Sequence, residues 1–306
     1  MTVGRPFVST PVGALDAARR AATLAAERWG LPAPALIRAS MNATFACGDV
    51  VLRVGRTNAP AILGVRLLER LATHGIRVPT PWTEEPLSSE GLSITALRRL
   101  SPVAQPIDWF EVGRMVSTLH RLSMGDLVPE HPLADPVALP WWDLGAVLVD
   151  LERTDGFEDL VDARSSRVLR DAVERTGDWS QHIRSTPVVV CHGDLHPGNV
   201  VMTGEGPVIL DWDLLASAPI VWDHVPLFAM AGPWGGESSW YRDFARGHGI
   251  DLAGSPSLAL LAEARDLAAT LMRLRAALHD PGAVAEADIR LAYWRGESPA
   301  PRWTSS

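Results

Sequence analysis

The sequence predicts an α+β protein of two lobes, a small antiparallel-sheet lobe followed by a mainly helical one. Three observations carry this. Short apolar runs broken by turns dominate the first hundred residues, helical periodicity dominates from Asp108 onward, and 306 residues lie near the length at which one hydrophobic core stops growing. The change of texture near 97–106 divides the chain into residues 1–98 and 99–306.

In chain order, Leu15, Ala18, Ala22 and Ala25 recur at helical spacing and Gly30 follows as a stop, which predicts a helix over 14–29. Leu36 to Val54, broken at Ser40–Asn42 and at Gly48-Asp49, reads as three short strands. Pro60 precedes Leu63, Leu67, Leu68 and Leu71, a second helix ending near Gly75. After the Pro79-Thr80-Pro81 break, Leu92 to Leu97 reads as a strand. Asp108 with Glu111 three residues on forms a capping box ahead of Val112, Met115, Val116 and Leu119. Further helices are predicted over 143–154, 166–182, 257–278 and 283–294, with 187–210 strand-like.

Composition excludes several function classes. A formal charge of −8, from 28 Lys+Arg against 36 Asp+Glu, speaks against nonspecific nucleic-acid binding. No uncharged apolar run reaches the roughly 18 residues of a membrane span, so no membrane partner is expected. Two cysteines, Cys47 and Cys191, offer no disulfide framework and suit a reducing cytoplasm. All 28 cations are arginine, so chemistry that needs a lysine amine is ruled out.

The informative stretch is Val188-Val-Val-Cys-His-Gly-Asp-Leu-His-Pro-Gly-Asn199, followed by Val208-Ile-Leu-Asp-Trp-Asp213. Each part starts as a buried-type apolar run and breaks into polar residues, so each reads as a strand end bearing acids or an amide, and the two as neighbouring strands. The turn signal Gly204-Glu205-Gly206 lets the chain return antiparallel, bringing Asp194, Asn199 and Asp211 together. Oxygen donors of that kind suit a hard cation with positions left for phosphate and water. Phosphoryl transfer needs that combination, plus one carboxylate off the metal to take the proton of the attacking hydroxyl. Asp194 is the candidate base, and Asn199 and Asp211 the magnesium ligands.

His192-Gly-Asp-Leu-His-Pro-Gly-Asn199 with Leu210-Asp-Trp-Asp213 resembles the aminoglycoside phosphotransferase family, small-molecule kinases with a protein-kinase-like fold. The resemblance extends from Leu36 to Phe228, through Leu119-His120 and Trp222-Asp223. It implies ATP or GTP as phosphate donor, Mg2+ as cofactor, a small-molecule alcohol as acceptor, and His192 as organiser of the loop. An antibiotic acceptor, hence resistance, is the best-known role for such sequences; choline, homoserine, sugars and macrolides are alternatives. Arg53, alternating away from Val50, Leu52 and Val54, matches the family's phosphate-gripping cation. Ser40 and Asn42 stand where the family folds a loop over the phosphates, and Thr95 and Leu97 end the strand that would meet the base or simply pack the lobe.

The family usually places a glutamate where this chain has Gly64. Arg53 then lacks its usual ion pair, or Glu69 substitutes from a shifted helix, or the lobe is held differently. His196 reads as a ligand contact or a solvent-exposed side chain, and Asp213 as a second metal-site acid or a surface acid. Asp223 reads as a loop-stabilising carboxylate. Trp212, Trp222, Trp234 and Trp240 could line an acceptor pocket, and Glu237, Asp243, Glu263 and Asp266 could bind a polycation or form a solvated helix face. Two other readings compete: a metal-dependent phosphoesterase, from His192-x-Asp194-x-His196, and a noncatalytic nucleotide-binding module, from the missing glutamate.

Overall fold

The computed structural model describes residues 4–184, 186–297 and 302–304. Strand β1 (Val8–Thr10) and helix α1 (Leu15–Trp29) precede β2 (Ala35–Ala39), β3 (Ala43–Cys47), β4 (Val50–Thr57), α2 (Ala61–Thr73), β5 (Leu87–Ser89) and β6 (Leu92–Arg98). The strands form one antiparallel sheet in the order β2-β3-β4-β6-β5, with β1 on β4. Period-two alternation sends Phe45, Cys47, Leu52, Val54, Leu92 and Ile94 to one face. There they meet Ala18, Ala21, Ala22, Ala25 and Ala26 of α1, which ends at the left-handed Gly30. An alanine stripe lets the helix lie close on the sheet. The opposite face carries Val51, Arg53, Thr95 and Leu97 toward the cleft and α2, with Arg53 opposite Thr95 in the register.

The rest of the chain is mainly helical: α3 (Trp109–Leu119), α4 (Leu144–Glu152), α5 (Phe157–Leu160), α6 (Ala163–Thr176) and α7 (Trp179–Arg184), then β7 (Val189–Cys191), β8 (Val200–Thr203), β9 (Gly206–Ile209) and β10 (Ala216–Ala218), and finally α8 (Val221–Met230), α9 (Ser238–His248), α10 (Pro256–Ala277) and α11 (Val284–Trp294). Asp108 caps α3 by accepting from Glu111 N–H at 3.0 Å. A Cβ on Gly113 would stand 2.2 Å from the Phe244 carbonyl oxygen, and one on Gly247 1.9 Å from that of Phe110. Those two glycines therefore let α3 and α9 touch backbone to backbone, which sets the ends of both helices side by side. No helix among the described residues is long and apolar enough to cross a membrane.

The structure departs from the expected elements in several places, with β1, α5 and α9 among those not expected. The single helix predicted over 166–182 is two, α6 and α7, because the chain breaks at Gly177-Asp178, and α6 starts earlier, with Asp162 accepting from Ser165 N–H. The two motif strands are not neighbours: β7 pairs with β10, while β8 and β9 form their own hairpin about Gly204-Glu205. The catalytic-type loop is thus held between two separate ribbons. Helix α8 escaped notice because it is buried nearly all round and carries Pro226, so it shows no one-sided stripe.

Candidate active site

The loop after β7 is anchored by a buried carboxylate from α8. Asp223 accepts from His192 N–H at 2.8 Å and Gly193 N–H at 2.9 Å, and from His120 Nε2–H at 3.0 Å. On its other side the His120 ring meets His248, with Nδ1 at 2.9 Å from His248 Nε2. The chain of rings begins at His248, which burial pushes down to about 4 and keeps uncharged near neutrality. It runs from α9 through the end of α3 to the loop backbone, made possible by the glycine contact described above. Burial pushes the Asp223 carboxyl up, yet its bond and charge contact with His120 bring it below its ordinary value.

Gly193 adopts φ +91°, and a Cβ there would stand 2.0 Å from the Leu214 carbonyl oxygen, so only glycine lets the loop pass. His192 lies buried against Trp212 and bonds the Leu210 carbonyl through Nε2 at 2.8 Å, while its Nδ1 accepts from Asp194 N–H at 3.2 Å. The ring thereby ties the loop to the segment that carries Asp211. Asn199 donates from Nδ2 to the Asp194 carbonyl at 2.9 Å, and its Oδ1 accepts no hydrogen bond among the described residues. Asp211 sits in the left-handed region at φ 56°, a strained position for a non-glycine residue. A side-chain carbonyl oxygen and a carboxylate are donors that fit a hard divalent cation.

Arg53 bridges the acids of the second motif, at 3.3 Å from Asp211 Oδ1 and in contact with Asp213 Oδ2. Asn42 donates to the same Asp213 oxygen at 2.9 Å. A Cβ on Gly55 would overlap the Asn42 amide, so that glycine makes room for it. Burial pushes the Asp211 carboxyl up, and Asp213 and Asp194 add to this against Arg53. At Gly64 an added Cβ would stand 3.1 Å from the ring of Phe7, which stacks on His131 at 4.8 Å and whose N–H donates to the Asp213 carbonyl. The amino-terminal segment therefore fills the space that a glutamate on α2 would need, and the acids of the 211–213 segment take over the pairing of Arg53.

Asp194 is bound by a residue that sequence reasoning missed. Arg265 Nη2 of α10 lies 2.9 Å from Asp194 Oδ1, and His196 Nε2 lies 3.5 Å from Oδ2. Burial works against ionisation of Asp194, but these neighbours outweigh it and hold the carboxyl well below the usual carboxylate range. No signal in the sequence singles out Arg265, since α10 carries Arg273 and Arg275 as well.

Two cavities meet here. A cleft of about 310 Å³ is lined by Ser40, Asn42, Arg53, Leu97, Asn199 and Asp211, with Arg38 and Arg98. A second cavity, about 530 Å³, is lined by Asp194, Asp211 and Asp213 and by Trp141, Trp142, Trp222 and Trp234. Arg38, Ser40 and Asp211 line both. Thr95 lines neither, facing a void of about 70 Å³ beside α2. Trp212 packs on His192 and Trp240 near Trp109. Glu263 and Asp266 face a separate cavity of about 980 Å³.

Residues 39–261 match the model of a family described as a phosphotransferase enzyme family. A probable ketoamine kinase of Thermus thermophilus is 29% identical over 200 residues, which are 63% of this chain and 70% of that one. Among solved structures, a spectinomycin phosphotransferase in complex with ADP and spectinomycin superposes with a TM-score of 0.62 at 15% identity, covering 89% of this chain and 90% of that one. A choline/ethanolamine kinase family protein from Mesorhizobium loti gives 0.57 at 20% identity, covering 94% and 95%. The fold is the two-lobed, kinase-like one.

Proposed function

The chain belongs to the phosphotransferase enzyme family, and from that premise we propose that it moves the γ-phosphate of ATP or GTP to a hydroxyl of a small molecule held in the tryptophan-lined cavity. The observation that carries this reading is the junction of the two cavities: Asn199 belongs to the cleft, Asp194 to the larger cavity, and Asp211 to both. A donor and an acceptor lying one in each would meet at these three residues. The cleft side offers Arg38, Arg53 and Arg98 to phosphate oxygens, in a chain whose cations are all guanidinium forks. Asn199 and Asp211 would hold magnesium, which supplies neutralisation of phosphate charge when bound.

Asp194 accepts the hydroxyl proton as the acceptor oxygen bonds to the γ-phosphorus. The bond from that phosphorus to the bridging oxygen breaks, and the nucleoside diphosphate leaves with the electron pair. Because Arg265 keeps Asp194 ionised, its main contribution is to orient the hydroxyl, with proton transfer late. Nucleotides bound to solved neighbours support the donor class, and the small molecules bound beside them, spectinomycin and kanamycin among them, support a small-molecule acceptor. Family membership also favours transfer over phosphate-ester hydrolysis or a noncatalytic module.

Asp194→Asn tests the reading. Turnover, followed as diphosphate release, should fall by roughly 10²–10⁴, while nucleotide-dependent thermal stabilisation persists. Unchanged turnover would remove Asp194 from the chemistry.

A further inference from the structure

We propose that the acceptor is an aryl-substituted 2- or 3-hydroxy acid, an apolar body with a carboxylate beside the hydroxyl, and that Arg265 selects it; this rests on the larger cavity being the acceptor half of the site. The body follows from the walls. Trp141, Trp142, Trp222 and Trp234 line the cavity with Met41 and Met272. Trp142 and Trp222 pack at 4.9 Å, and the indole N–H of Trp234 is engaged by Asp266 at 2.8 Å. These are surfaces for a flat apolar group, not for a hydroxyl-rich one.

The charge follows from which groups already have partners. Three acids line the cavity, and each is already paired: Asp194 with Arg265 and His196, Asp211 with Arg53, and Asp213 with Arg53 and Asn42. The acids that could have served a polycation are engaged elsewhere: Glu263 pairs with Arg175, Asp243 with Arg246, Asp266 takes the Trp234 N–H, and Glu237 takes the Ser239 hydroxyl. An ammonium group entering the cavity finds each carboxylate already facing a guanidinium, whereas an anion finds donors left on two arginines, Arg38 and Arg265.

The position follows from Arg265 itself. Among the described residues only one hydrogen of its Nη2 is engaged, by Asp194, so the second Nη2 hydrogen together with Nε or Nη1 leaves one donor edge open at the cavity wall. A carboxylate on that free edge places the neighbouring carbon's hydroxyl beside Asp194. The distance is set by the width of one guanidinium, which suits a hydroxyl one or two carbons from the carboxylate. The triphosphate's own charge is met on the other side by Arg38, Arg53 and Arg98.

The test uses the full chain with Mg2+ and a non-hydrolysable ATP analogue, reading tryptophan fluorescence as phenyllactate, its methyl ester, phenylalaninol or kanamycin is added. Phenyllactate should bind at least about tenfold more tightly than the ester and the two amines, the scale of one charge-assisted bidentate contact. That order runs against the chain's net negative charge, which alone would favour the amines. Arg265→Gln should bring the acid and ester to equal affinity, and Arg265→Lys should restore part of the difference. The proposal is overturned if an amine binds as well as the acid, if none of the four binds at millimolar concentration, or if the acid's preference survives Arg265→Gln. The comparison of acid with ester in the wild-type chain stands even should a variant misfold. Nucleotide-dependent thermal shift and slow acceptor-free hydrolysis of ATP or GTP report on the donor half alone. Their presence with a failed acid preference sinks only this inference; their loss sinks the phosphotransfer reading as well.

Discussion

Replacing Asp223 by asparagine changes no volume and inverts one hydrogen-bonding atom at the point where the loop is anchored. Three donors converge on its two oxygens: Gly193 N–H on Oδ1, and His192 N–H with His120 Nε2–H on Oδ2. An amide has one oxygen, and the least costly placement keeps it on the two-donor side and turns the NH2 toward Gly193. One charge-assisted bond is then lost, and a buried donor faces another donor. At about 1.5–3 kcal/mol for the first and 1–3 kcal/mol for the second, Asp223→Asn should destabilise the protein by roughly 2.5–6 kcal/mol. Differential scanning calorimetry should show the midpoint falling by at least about 5 °C. Turnover below that midpoint should fall as well, because Gly193 is the residue before Asp194. A shift under 1 °C with unchanged turnover would mean that the loop is positioned by something other than this carboxylate.

Asp266 supplies a pH prediction. Burial pushes its carboxyl up to about 7, so between about 4 and 7 the folded state binds a proton that the unfolded state has released, and stability from this group falls as pH rises through that window. At about 1.4 kcal/mol per pH unit the loss is at most about 4 kcal/mol. Asp266→Asn, which keeps an oxygen for the Trp234 N–H, should therefore raise the melting midpoint at pH 8 and leave it nearly unchanged at pH 4; equal shifts at both would refute the assignment. Gly64→Glu alone should overpack against Phe7 and cost about 1–3 kcal/mol. Combined with Phe7→Ala, it should cost less than the two single changes summed, by at least about 0.5 kcal/mol in a double-mutant cycle.

Much of the fold was legible because local rules decided it. The Asp108–Glu111 box caps α3, Gly30 stops α1, and the strand alternation at Val50, Leu52 and Val54 sets which face meets the alanine helix. Each of those signals acts within a few residues. The elements that escaped were settled by surroundings instead. Helix α8 has no polar face to reveal its period, and β10 is a three-residue strand held by partners far off in the chain, β7 and Ala134.

The site divides along the same line, and the division explains its most informative departure. The spacing from His192 to Asn199 and on to Asp211 marks the loop because those residues are joined by short chain segments. Arg265 reaches Asp194 from 71 residues away, and Asn42 reaches Asp213 from 171, distances over which no local pattern carries information. The missing glutamate at Gly64 was visible as an absence, but its replacement was not, since it depends on Phe7 crossing from the amino terminus onto α2 and on Asp213 facing Arg53. A chain that pairs Arg53 with acids of the second motif ties the sheet lobe to that segment directly, whereas a glutamate on α2 would have kept the pair within the sheet lobe. The same arginine that can grip phosphate thereby holds Asp211 beside the junction of the two cavities. The position of that acid is then linked to how the sheet lobe sits on the helical one, and phosphate bound at Arg53, as proposed above, would compete with this pairing.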